Sequence, residues 1–142
     1  MAKQIYVNLP VRDLKRSVTF FTALGFSFNP QFTDENATCM IVGENIFVML
    51  LVEPFFRTFT PKPLCDARQA TEVLVCLGLD SRAEVEAIVA KALAAGGATP
   101  TPAKDHGFMY QHGFEDLDGH LWEVVHMDMA AFESAGSAAA EG

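Results

Sequence analysis

The order of elements predicts an α+β fold built from two tandem βαβββ units. Three observations carry this expectation. A strand pattern followed by an amphipathic helix occurs twice, starting near residues 3 and 71. Further strand-sized apolar runs follow each helix. A connector over residues 53–70, carrying Pro54, Pro61 and Pro63, separates the two series. The halves share little residue identity, so the repeat is one of pattern.

In the first half, residues 3–9 read as a strand ended by Pro10, which has no N–H for a ladder. Asp13 is placed to cap a helix with Leu14, Val18 and Phe21 on one face, and Gly25 to end it. Strands are expected at 26–32, 37–42 and 46–52, the last two joined through Gly43-Glu44-Asn45. The unbroken Ile46–Val52 run suits a strand covered on both faces. In the second half, residues 71–79 read as a strand, and Ser81 with Glu84 forms a capping box. Val85, Ile88, Val89, Ala92 and Leu93 make the apolar stripe of the helix, which Gly96-Gly97 stops. A short segment near Thr99 and strands at 107–114 and 120–127 complete the pattern. The expected organisation is one domain over residues 1–128, with units at about 3–53 and 71–128, and a flexible tail over 129–142.

A chain of 142 residues has room for one core, and 50% hydrophobic content with 12 Phe is enough to fill it. Cys39, Cys65 and Cys76 are odd in number and unrelated in spacing, which argues against a disulfide framework and suits a reducing cytoplasm. Residues 1–8 contain no long apolar stretch, so no signal peptide is expected. The longest apolar run is strand-sized, and no membrane span is expected. A net charge of −8 disfavours nucleic acid and anionic membrane surfaces as partners.

Two motifs resemble a known family. Val11-Arg12-Asp13-Leu14-Lys15-Arg16-Ser17, leading to Phe20-Phe21 and Leu24-Gly25-Phe26, resembles the opening segment of vicinal oxygen chelate proteins. Asp116-Leu117-Asp118-Gly119-His120-Leu121-Trp122-Glu123 resembles their closing hairpin, with Leu117 where the family usually has Pro. The resemblance covers roughly residues 3 to 128. It implies a glyoxalase-like domain whose two units form a cupped mixed sheet around a small-molecule cavity, often as a homodimer. It also implies a divalent metal held by one side chain from each of four strands.

The four ligand positions fall at Tyr6, Met49, Leu74 and Glu123. Only Glu123 carries a good donor for such an ion; Met and Leu supply none, and a neutral Tyr is poor. A two-residue slip keeps the face and brings Glu72 or Cys76 to the fifth strand, but Phe47 or Leu51 to the fourth. No metal or other cofactor is therefore expected.

Glu123 is the candidate catalytic group. If Glu115 pairs with His120, then His112 stands across from Glu123 and Tyr110 across from Val125, all on one face. His112 and Glu123 would then form a hydrogen-bonded pair with general-base potential; a one-residue register change turns His112 away. His106, His120 and His126 read as polar rim or packing residues. Tyr6 and Asn8 share a face of the first strand, as ligand contacts or as local structural residues. Met49, Leu51, Leu74 and Tyr110 complete the expected ligand-binding set.

Phe55, Phe56 and Phe59 in the connector are expected to be covered, as a dimer contact or pocket wall. Cys65 has only Arg68 nearby as a cation, a weak basis for a reactive thiolate. Three functions stay open: a metal-free small-molecule binding protein of resistance type, a glyoxalase-like lyase or isomerase using Glu123, and a structural or regulatory dimer. For the second, Arg57, Lys62, Arg68 and Lys104 are available as cations for an anionic substrate.

Overall fold

The computed structural model describes residues 1–131 and 133, and they fall into two compact units. The first comprises residues 1–70 with the short loop 117–119; the second comprises residues 71–116 and those from 120 onward. Most of the expected tail at 129–142 lies outside the described residues. Its first residues, 129–131, are helical, with the Asp128 carboxylate accepting from the Ala131 N–H at 3.1 Å.

The first unit runs β1 (Ile5–Val11), α1 (Leu14–Ala23), β2 (Ser27–Asn29), β3 (Ala37–Gly43) and β4 (Ile46–Val52). The sheet order is β1-β4-β3-β2, with β1 parallel to β4 and the other neighbours antiparallel. Asp13 caps α1 by accepting from the Arg16 N–H at 3.2 Å, and Gly25 takes φ +105° just beyond the helix. The helix is rotated from the expected stripe: Ser17, Phe20 and Phe21 are buried, while Leu14 and Val18 are half-buried. Ser17 tolerates burial because its hydroxyl donates to Asp118 at 3.3 Å. Together with Leu9, Val11, Leu24, Met40, Val48 and Leu50, the two Phe form this unit's core. β2 is shorter than the expected 26–32. Pro30, lacking an N–H, opens a 3-10 turn over Pro30–Phe32, with the Asn29 side chain accepting from the Gln31 N–H. After β4 comes α2 (Glu53–Phe56), with Pro54 in its first turn, and then a 3-10 turn (Arg57–Phe59). Phe55 and Phe59 rings meet edge to face at 5.1 Å; within the single chain Phe55 and Phe56 are half-buried and Phe59 is 67% exposed.

The second unit repeats the topology. It runs β5 (Leu74–Gly78), α3 (Arg82–Ala94), β6 (Lys104–Asp105), β7 (Met109–Glu115) and β8 (Leu121–Met127), in the order β5-β8-β7-β6. β5 is parallel to β8 and the other pairs are antiparallel. Ser81 accepts from the Glu84 N–H at 3.1 Å, and the Glu84 carboxylate accepts from the Asp80 N–H at 2.9 Å, so the capping box forms one residue wider than its simplest version. α3 buries Val85, Ile88, Val89 and Ala92; Leu93, expected in the stripe, is 48% exposed. The segment near Thr99 is not the sixth strand. Ala98 makes only an isolated bridge to Glu115, and pairing with β7 resumes at Lys104. Prolines at 100 and 102 remove ladder donors between these points. The core holds Leu77, Phe114, Trp122 and Val124 against α3, with the Phe114 and Trp122 rings stacked at 6.0 Å.

The β7–β8 connection fixes the register of the second unit. The buried Asp116 accepts from the His120 N–H and from Trp122 Nε1, both at 3.0 Å, while its own N–H donates to the His120 carbonyl. The closed loop therefore includes His120, and Glu115 pairs with Leu121 rather than with His120. At the loop tip, Asp118 accepts from the Arg12 N–H at 2.9 Å, and the Arg68 guanidinium donates to the Leu117 carbonyl at 2.8 Å.

Candidate functional site

Alternation along β7 and β8 sorts the second sheet into two faces. Gly113 lies opposite Glu123, Gln111 opposite Val125, and Glu115 opposite Leu121. Leu74 and Cys76 of β5 pair with Leu121 and Glu123, and Lys104 of β6 pairs with Gln111. These residues share the face turned away from the core of Trp122, Val124 and Phe114. A cleft of about 260 Å³ opens there, bordered by Leu74, Pro100, Thr101, Pro102, Lys104, Gln111, His112, Gly113, Phe114, Leu121, Trp122 and Glu123.

Glu123 is half-buried in this cleft, and the Gln111 side-chain amide donates to its Oε1 at 3.4 Å. Gly113 leaves the space across from Glu123 free of a side chain. A Cβ added there would sit 2.7 Å from the Trp122 carbonyl oxygen, so the close strand approach itself requires glycine. Burial and the neighbouring Glu123 carboxylate push the Cys76 thiol above its ordinary range, which keeps it protonated at neutral pH.

The expected His112–Glu123 pair does not form. His112 lies opposite Val124, on the other face, and its Nε2 is 3.2 Å from the Thr101 carbonyl oxygen. His112 still borders the cleft, but not as Glu123's partner. Tyr110 is displaced in the same way: it lies opposite His126 rather than Val125, with the Arg82 guanidinium 4.1 Å from its ring centroid. The one-residue difference follows from the Asp116-closed loop, because the side-chain period of two converts a single step into a change of face. His126 Nδ1 meets the Leu79 carbonyl at 3.0 Å, a packing arrangement. The sequence reading missed Gln111 and Gly113; the signal was a glycine inside a strand, two residues from an amide.

In the first unit, Tyr6, Asn8, Met49 and Leu51 do share one face, since Tyr6 pairs with Phe47, Asn8 with Met49 and Pro10 with Leu51. The Tyr6 ring stacks on Phe47 at 4.9 Å, and its hydroxyl donates to Gln4 at 2.9 Å. Tyr6 and Asn8 are exposed, Met49 is half-buried and Leu51 is buried.

The donor set does not fit the divalent ion that the fold family implies. Of the four positions, only Glu123 offers a carboxylate or imidazole; Leu74 and Met49 offer neither, and the Tyr6 hydroxyl is already engaged with Gln4. Cys76, directly across from Glu123, would bring the donor set to one carboxylate and one thiol, still short of the three or four donors such a site uses. No group of three or more His, Cys, Asp or Glu side chains converges among the described residues.

Fold and site together define an α+β protein of paired βαβββ units, with a carboxylate in a mostly apolar cleft on the sheet face away from its helix. The profile of the bleomycin resistance protein-like N-terminal family matches residues 3–43. The solved structure of hypothetical protein SA1046 from S. aureus is similar at 31% identity, with 89% of this chain and 95% of that chain covered and a TM-score of 0.75. A glyoxalase-related enzyme from Fulvimarina pelagi is similar at 19% identity, with 88% of each chain covered and a TM-score of 0.74. A glyoxalase/bleomycin resistance protein/dioxygenase family enzyme from Burkholderia phytofirmans PsJN gives 16% identity, with 89% of this chain and 99% of that chain covered and a TM-score of 0.73. No curated protein matches the sequence. The chain belongs to the vicinal oxygen chelate superfamily, the glyoxalase/bleomycin resistance group of folds.

Proposed function

We propose that this protein binds a small organic molecule without a divalent metal, as a binding module of the glyoxalase/bleomycin-resistance type. One observation carries the reading. The 260 Å³ cleft presents Glu123 among apolar walls, while the other three family ligand positions hold Tyr6, Met49 and Leu74. A concave, mostly apolar site with few polar groups suits recognition of a small ligand. A lone carboxylate, lightly held by an amide, suits hydrogen bonding or charge pairing with that ligand.

The test combines metal analysis with a thermal-shift screen of the purified protein. The expected result is less than stoichiometric Ni, Zn, Mn and Fe, with stabilisation by an aromatic or amphipathic compound that persists in a chelator. A bound ligand at about 100 times its Kd adds roughly 2.7 kcal/mol to folding stability, which is a readable shift. A stoichiometric metal lost on Glu123→Gln would overturn the proposal in favour of a metal-dependent lyase or isomerase.

A further inference from the structure

Two opposite charges border the cleft, and among the described residues neither forms an ion pair. We infer that the cleft takes a small zwitterion: a flat apolar body with a protonated amine for Glu123 and a carboxylate for Lys104. The inference rests on the binding reading above and names its ligand class.

The sheet sets the spacing. Glu123 stands on β8 and Lys104 on β6, with β7 between them. Lys104 pairs with Gln111, and Gln111 with Val125, so Lys104 shares Glu123's face two residues further along β8. Two strand spacings and a two-residue offset separate the backbone positions by roughly 12 Å. One six-membered ring with a short arm at each end spans what remains once both side chains reach inward.

The surroundings select the rest of the ligand. Glu123 accepts one long hydrogen bond, from Gln111 at 3.4 Å, and this leaves acceptor capacity for an ammonium. Leu74, Leu121, Pro100 and Pro102 provide apolar walls for a ring. An apolar cavity of about 150 Å³ holds benzene, so 260 Å³ accommodates a ring with two substituents. A dianion would meet Glu123, and a dication would meet Lys104. A molecule with one charge of each sign satisfies both.

Isothermal titration of the full chain with four matched probes tests the inference: 4-(aminomethyl)benzoate, benzylamine, 4-methylbenzoate and 4-methylbenzyl alcohol. The zwitterion is expected to bind about tenfold tighter than either singly charged probe, as a charge-assisted contact at each end would give. Glu123→Gln should reduce its affinity to that of 4-methylbenzoate, and Lys104→Gln to that of benzylamine. Circular dichroism and the melting temperature of each variant separate lost contacts from lost folding. Equal affinities for all four probes would overturn the zwitterion while leaving small-molecule binding intact, and so would preference for one singly charged probe. Indifference to Lys104→Gln would overturn the carboxylate contact. Binding of none of the four would overturn the ligand class, and a failed broad screen would then take the binding reading with it.

Discussion

Glu123 has little structural duty in the fold, since among the described residues it accepts a single hydrogen bond, from Gln111 at 3.4 Å, at a half-buried position. Glu123→Gln should therefore change unfolding free energy by no more than about 0.5 kcal/mol. Urea titration checks this, and it makes the variant a clean probe of binding. Gly113 is the reverse case, chemically silent but sterically fixed. The Trp122 carbonyl oxygen lies 2.7 Å from where its Cβ would be, so Gly113→Ala should cost about 1–3 kcal/mol by the same titration. Cys76 supplies a pH signature. Burial first, and Glu123 second, raise its thiol pKa, so the thiolate is the disfavoured form in the folded chain. The contribution to stability is fully present below the ordinary thiol pKa and is lost as pH rises from there through the raised folded-state value. Folding stability should thus fall on the alkaline side, and iodoacetamide labelling of Cys76 should set in at higher pH than for a free thiol. In Glu123→Gln the onset should move down only partway, because burial remains.

Between β7 and β8, one carboxylate decides the pairing of two whole strands. Asp116 is buried, 6% exposed, and ties the His120 N–H and the Trp122 indole into one closed loop. Asp116→Ala would leave a buried indole N–H without its acceptor, and a loss of about 1–3 kcal/mol is expected from thermal or urea unfolding. Asp118, two residues on, accepts from the Arg12 backbone and from Ser17, so the two motifs that carry the family resemblance contact each other. Gly119 belongs to the same arrangement, with φ +92° and Arg68 backbone nitrogen 2.9 Å from its would-be Cβ. The helices were readable because their caps are local: Asp13, Ser81 and Glu84 act within one turn of chain. β6 was not readable. Its two residues pair only because β7 lies beside them, and nothing periodic marks so short a strand.

In each unit by itself, exposed apolar side chains lie on or beside an edge of the sheet: Ile5, Tyr6 and Ile46 on β1 and β4 of the first unit, Val73 and Leu74 at β5 of the second. β1 and β5 are each terminal in their sheet order, the position from which strands recruit partners. A homodimer is the expected state, and sedimentation equilibrium should return twice the 15.5 kDa chain mass. The sequence by itself determined the α+β class, the repeated βαβββ order, the capped helices and the position of Glu123. Each of these depends on residues close together in the chain or on a spacing counted from a motif. Only the tertiary structure decided which residues surround Glu123. The strand period is two, so the Asp116 loop, by moving the pairing one step, set Gly113 and not His112 across from it and turned Tyr110 to the helix side. Three separate pairings, β7–β8, β6–β7 and the parallel β5–β8, brought Gln111, Lys104 and Cys76 onto Glu123's face from positions up to 47 residues apart in the chain.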